Sequence, residues 1–174
     1  MLSLQVDDFE LFGLSRRFAQ DRAVLDERWK QLQREAHPDK FAAQGAAAQR
    51  VAMQWSVRIN EAYQRLKDPL SRATYLCELH GHDIQAESNT AMPAAFLVQQ
   101  MRWREALDEA SNLSELDALL AQVRASERAA MQNLTHCLDE DANYPEAVAQ
   151  IRSLMFMRRF KQDLDKKIDA GDGQ

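Results

Sequence analysis

His37, Pro38 and Asp39 set an imidazole and a carboxylate on either side of a ring that fixes the backbone. Two such groups could serve as an acid–base pair, but catalysis would also require a nucleophile or a metal beside them, and no neighbouring residue supplies one. The other histidines, His80, His82 and His136, are scattered. His80 and His82 have a spacing that could ligate a metal, yet no third ligand accompanies them, so neither metal nor cofactor is expected. Cys77 and Cys137 lie far apart without CxxC or Cys/His metal spacing, and read as buried, reduced thiols. No reaction centre emerges, and the chain reads as a non-enzyme. The tripeptide then reads as a contact surface. Pro38 fixes the turn, His37 orients the loop, and Asp39 accepts charge-assisted hydrogen bonds from an Arg or Lys of a partner.

The flanking elements position this loop. From Ala23 to Ala36, the residues Leu25, Trp29, Leu32 and Ala36 recur at offsets of four, three and four, one face of an amphipathic helix. Arg28, Lys30, Gln31 and Arg34 are placed on its other side. Proline disfavours the helical conformation in the residue before it, so the helix should end at His37. A small-residue connection, Ala42 to Ala47, leads to a second helix from Val51 to Leu66, with Val51, Trp55, Ile59, Ala62, Tyr63 and Leu66 as its stripe. The two stripes are best buried against each other as an antiparallel hairpin, with Trp29, Trp55 and Tyr63 in its core. Arg28, Lys30, Arg34 and Lys40 would steer an acidic partner toward the loop.

Phe9, Leu11, Phe12 and Leu14 form a short apolar opening that Gly13 interrupts. Asp68-Pro69 stops the second helix, and Asp68 can cap a short helix from Pro69 to Leu76. A polar, turn-rich interval from His80 through Ser88-Asn89-Thr90 marks the boundary between domains. Beyond Pro93, helical patterns run over about 94–110, 114–138 and 145–168, with Ser114-x-x-Asp117 as a capping signal for the second. The expected architecture is all-α: residues 1–76 hold the hairpin with flanking short helices, 77–93 form a linker, and 94–174 an antiparallel three-helix bundle. Composition agrees, since 174 residues with 5 Gly and 4 Pro favour long helices and short turns.

Charge is uneven. From Arg16 to Lys67 eleven Lys/Arg face six Asp/Glu, and from Glu78 to Gln174 ten face seventeen. Two modules with different electrostatic tasks are implied. A nucleic-acid partner is not expected, because the second half is acidic and the basic face lacks base-stacking aromatics. No run reaches the ~18–20 apolar residues of a membrane span, and Asp7-Asp8-Phe9-Glu10 does not resemble a secretory signal. The expected location is cytoplasmic, in the bacterial cytosol ahead of the mitochondrial matrix.

The helix, His-Pro-Asp, helix arrangement resembles a J-domain, a module that stimulates ATP hydrolysis by DnaK-type chaperones. Trp29, Leu32, Lys40, the run Asn60-Glu61-Ala62-Tyr63 and the exit Leu66, Asp68-Pro69 extend the resemblance. Phe9-Glu10-Leu11-Phe12-Gly13-Leu14, Phe41 after Lys40, Arg72-Ala73-Thr74-Tyr75-Leu76, Leu79-His80-Gly81, and Phe96-Leu97 followed by Arg104-Glu105 are similar to the HscB type. The resemblance implies a co-chaperone of iron–sulfur cluster assembly. Its J-domain would act on an HscA/DnaK-type ATPase, and its bundle would bind the scaffold protein IscU. A J-protein of the same chaperone class serving a different client is the alternative.

Leu97, Val98, Met101, Arg102 and Glu105 share a strip of the first bundle helix, and Phe156 lies in the third beside Met155 and Met157. By resemblance these positions match the scaffold-binding patch, apolar anchors rimmed by charge. Arg102 stands where the family commonly has an acidic residue, and Trp103 where it has a smaller apolar one. Trp103 either alters the match to the partner or faces the core.

Overall fold

The computed structural model describes residues 4–84 and 92–172. Among these residues the fold is all-α and contains no strand. The helices are α1 (Asp8–Leu11), α2 (Arg22–Ala36), α3 (Ala46–Lys67), α4 (Pro69–Leu79), α5 (Ala94–Glu109), α6 (Leu113–Asp139) and α7 (Tyr144–Asp172), with a 3₁₀ segment at Pro38–Gln44. The chain divides into two compact units, Met1–Leu76 and Cys77–Gln174. The expected turn at Ser88-Asn89-Thr90 lies outside the described residues.

In the N-terminal unit, α2 and α3 pair along a polar seam as well as an apolar one. Tyr63 donates its hydroxyl to Asp26 at 2.6 Å, Trp29 its indole N–H to Asn60 at 3.0 Å, and Gln33 its amide to the Ser56 carbonyl at 3.3 Å. As α2 climbs from 26 to 33, α3 descends from 63 to 56, which fixes an antiparallel register. The polar tips of Trp29 and Tyr63 therefore need the seam and cannot sink into the core. Both are half-buried, as is Trp55, in place of the core positions expected. The buried layer is made instead by Leu25, Ala52, Ile59, Ala62 and Leu66, closed by Phe9, Leu11, Phe12 and Phe18.

Two boundaries differ from the sequence expectation. Ala46 and Ala47 belong to α3 and not to a connection: Gly45, with φ 98°, ends the 3₁₀ segment in a conformation glycine adopts freely, and alanine then favours immediate helix. Val51, assigned to the buried stripe, is consequently 51% exposed, because α3 starts beyond the reach of α2. The helix α4 continues to Leu79; Asp68 caps it as expected, accepting from the Ser71 N–H at 3.1 Å and the Ser71 hydroxyl at 2.8 Å.

The C-terminal unit is an antiparallel three-helix bundle. Leu116, Leu119, Val123, Ala130, Leu134 and Cys137 of α6 recur at helical spacing and are buried against α7, where Ile151, Leu154, Phe160 and Leu164 meet them. The capping residue of α6 is Asn112, not Ser114. Its side chain accepts from the Glu115 N–H at 2.9 Å, while the Glu115 carboxylate accepts from the Ser111 N–H at 2.8 Å. That bond, joined by others from Ser111 and Asn112, holds the Glu115 carboxyl below its ordinary range. Asn143 caps α7, which begins at Tyr144 with Pro145 in its first turn.

Candidate functional site

Three features build the tip of the α2–α3 hairpin. His37 leaves α2 in extended conformation (φ −61°, ψ 127°), as the following proline requires. Pro38 opens the 3₁₀ segment, where its missing N–H costs nothing. The His37 ring then turns back to accept a hydrogen bond at Nδ1 from the Asp39 N–H at 3.2 Å, and the His37 carbonyl accepts from the Lys40 N–H at 3.0 Å. His37 is thus the cap of its own turn. Asp39 is left with a side chain 91% exposed, its carboxylate 3.6 Å from the same imidazole nitrogen. Its carboxylate faces solvent with nearly all of its acceptor capacity available.

The basic residues predicted around this loop do not form one face. Lys30 and Arg34 stand one turn apart on the side of α2 opposite its apolar stripe, both exposed. Arg28 lies more than about 120° around the helix from both. Its guanidinium sits over Gly13, where a Cβ would come within 3.0 Å of Nη2; Gly13 also has φ 64°. Lys40 is exposed beside Asp39. Lys30, Arg34 and Lys40 stand nearest the loop, and Arg28, also exposed, lies on another side of α2 beside Gly13.

A pocket of about 480 Å³ lies behind the loop, lined by Ala36, Phe41, Ala48, Val51, Trp55 and Leu32 among others.

The second candidate surface is on α5. Trp103 and Leu107 face inward, and Leu97, Val98 and Met101 face out with 46%, 48% and 65% of their surface exposed. Arg102 and Glu105 are exposed on the same side. Trp103 is 2% exposed and belongs to the core, which decides between its two expected placements. It stacks with Phe156 at 6.5 Å and Phe160 at 5.9 Å between ring centroids, while Phe96 meets Phe156 edge-on at 5.8 Å. Phe156 is therefore a half-buried member of an aromatic layer. Arg104 of α5 borders it, with its guanidinium 5.6 Å from the Phe156 centroid and paired with Asp163 at 3.0 Å. Leu97 lies two turns before Arg104 on α5.

Asp8 was not legible as a key residue in the sequence. It is fully buried and held by Arg65, whose Nε donates at 2.6 Å, and by Arg58, whose Nη1 lies 2.7 Å away as an ion contact. This cluster locks α1 onto α3 and so supports the hairpin from the end remote from the loop. His80 and His82 stack on Tyr144 at 4.3 and 5.4 Å, packing roles that their spacing alone did not disclose. Among the described residues, no cluster of His, Cys, Asp and Glu could hold a metal ion.

Comparison with known proteins gives these surfaces a context. The chain is 48% identical over 172 residues to a protein from Burkholderia multivorans described as "Co-chaperone protein HscB homolog", covering 97% of this chain and 98% of that one. The chain belongs to the HscB co-chaperone family. Residues 92–165 match the family model described as the HSCB C-terminal oligomerisation domain. Chaperone HscB from Vibrio cholerae superposes with a TM-score of 0.80 at 34% identity, covering 95% of this chain and 99% of that one. Human co-chaperone protein HscB superposes with a TM-score of 0.86 at 28% identity, over 95% and 84% of the two chains. These HscB structures share both the loop-bearing unit and the bundle fold, since the superpositions cover nearly all of this chain.

Proposed function

We propose that this HscB-family chain is a two-ended adaptor. Its His37-Pro38-Asp39 loop stimulates the ATPase of an HscA/DnaK-type chaperone, and its α5 surface delivers the iron–sulfur scaffold protein IscU to that chaperone. The chain itself makes and breaks no covalent bonds. The bacterial relatives support a place in the bacterial cytosol.

The observation that carries this reading is the outward face of α5. Three apolar side chains, Leu97, Val98 and Met101, stay exposed on a helix whose core is already filled by Trp103 and Leu107. Folding gains nothing from that placement; a partner that covers the strip gains all of it. Met101, unbranched and polarizable, adapts to the surface it meets. At the other end, Asp39 offers a charge-assisted acceptor to a cationic residue of the chaperone, and Lys30, Arg34 and Lys40 supply the attraction that brings an acidic surface there.

The test is scaffold affinity by titration calorimetry for a Leu97→Ala, Met101→Ala variant. Both residues are exposed, so the bundle should remain folded while affinity falls by more than about tenfold. Unchanged affinity in a folded variant would show that this surface does not bind the scaffold. Phe156→Ala is a less clean probe, because opening the aromatic layer also destabilises the bundle.

A further inference from the structure

The α5 surface carries two charges that nothing in the fold uses. Arg102 is exposed beside Met101, one turn beyond Val98, and among the described residues it has no ion-pair or hydrogen-bond partner. Glu105 lies three residues on, within reach of a helical i,i+3 pair, yet the two do not meet and Glu105 is likewise unpartnered. Arg104 provides the contrast, since its guanidinium is committed to Asp163 and to the rings of Phe156 and Phe160. The last turns of α5 add Asp108 and Glu109, both exposed, and carry no basic residue of their own, although Lys167 of α7 donates to the Leu107 carbonyl there. Carboxylates at a helix C-terminus oppose the helix dipole, so the helix itself does not favour them there. The surface is therefore polarised along α5: apolar at Leu97–Met101, cationic at Arg102, anionic from Glu105 onward.

We infer that Arg102 is a specificity-determining contact, requiring a carboxylate on the scaffold where it borders the apolar strip. This inference rests on the reading of α5 as the scaffold-binding surface. Once Val98 and Met101 are covered, the guanidinium beside them loses water on one side. A guanidinium desolvated in this way is satisfied by a carboxylate in bidentate geometry and is costly to leave unpaired. Arg102 thereby rejects scaffolds that present a Lys or Arg at this point, even when their apolar contacts fit.

Affinity of this chain for the purified scaffold protein, free of metal, is measured for wild type, Arg102→Glu and the Leu97→Ala, Met101→Ala variant. Arg102→Glu should weaken binding by about tenfold or more, and one scaffold variant with a single exposed carboxylate changed to Lys should bind Arg102→Glu better than it binds wild type. If Arg102→Glu binds the scaffold as wild type does while the apolar variant has lost affinity, the carboxylate requirement is wrong and the binding surface stands. If neither variant loses affinity, the surface itself is misassigned and the inference falls with it. Failure of every single carboxylate-to-Lys scaffold variant to restore binding also overturns it. So does a sedimentation experiment in which Arg102→Glu alters self-association of this chain and leaves scaffold binding intact.

Discussion

The Nδ1 atom of His37 accepts a hydrogen bond from the backbone N–H of Asp39 at 3.2 Å, so the histidine caps the turn that presents the carboxylate. The two residues thus have different tasks. Asp39 is 91% exposed and contributes nothing to the packing of the hairpin, whereas His37 holds the backbone on which Asp39 stands. Asp39→Asn should abolish stimulation of the chaperone ATPase and leave the thermal midpoint of this protein within about a degree of wild type, as a surface substitution does. Steady-state ATPase assays beside thermal denaturation read both quantities. Retained stimulation would show that the loop works through another residue.

Lys30 and Arg34 share a solvent-facing side of α2, and Arg28 does not. Reversal of either Lys30 or Arg34 to Glu should lower the association rate with the chaperone several-fold and flatten its dependence on salt. Arg28→Glu should affect the rate less, since its guanidinium lies over Gly13. Stopped-flow association at two ionic strengths separates these cases; an equal effect from all three would restore a single basic face.

The buried carboxylate of Asp8 faces two guanidinium groups, Arg58 and Arg65. Asp8→Asn leaves both cations without their anion, at a cost of about 3–5 kcal/mol. Urea denaturation should show that loss in the N-terminal unit. A change below about 1 kcal/mol would mean that water relieves the arginines.

Burial, reinforced by the negative charge of Glu78, pushes the Cys77 thiol up from 9.0 to about 12. Because its folded value lies above its unfolded one, the stabilisation it reflects is complete below pH ~9 and is lost as pH rises toward about 12. The hydroxyls of Tyr63, Tyr75 and Tyr144 are also raised, so Cys77→Ala should make the alkaline loss of stability shallower without removing it. At pH 8 neither Cys77 nor Cys137 should react with a thiol reagent until the protein is unfolded, since burial raises Cys137 as well. Rapid labelling of the native protein would contradict this.

Much of the helical architecture was legible because it is written in local periodicity. Pro38 and Pro69 stop helices for steric reasons, and the stripe from Leu25 to Ala36 marks the side of α2 that turns toward α3. The loop was legible for the same reason. What periodicity cannot carry is long-range pairing. Asp8 in the acidic opening looks like any solvated charge until Arg58 and Arg65 close over it from α3. Trp29 and Tyr63 fall on apolar stripes, yet their N–H and O–H groups bind Asn60 and Asp26 and hold them at the seam. Position within a helix gives the angle of Arg28, but the order of residues does not show that Gly13 takes up its guanidinium. Alanines are ambiguous in both directions, serving as a connection before Ala46 and as helix after it.

Coupling of two partners by one chain would be read most directly in the ATPase rate of the chaperone. The rate is measured with this protein alone, with the scaffold alone, and with both together. Stimulation by the pair should exceed the sum of the separate stimulations, and Asp39→Asn and the Leu97→Ala, Met101→Ala variant should each abolish the excess. Simple additivity with wild-type protein would contradict this coupling.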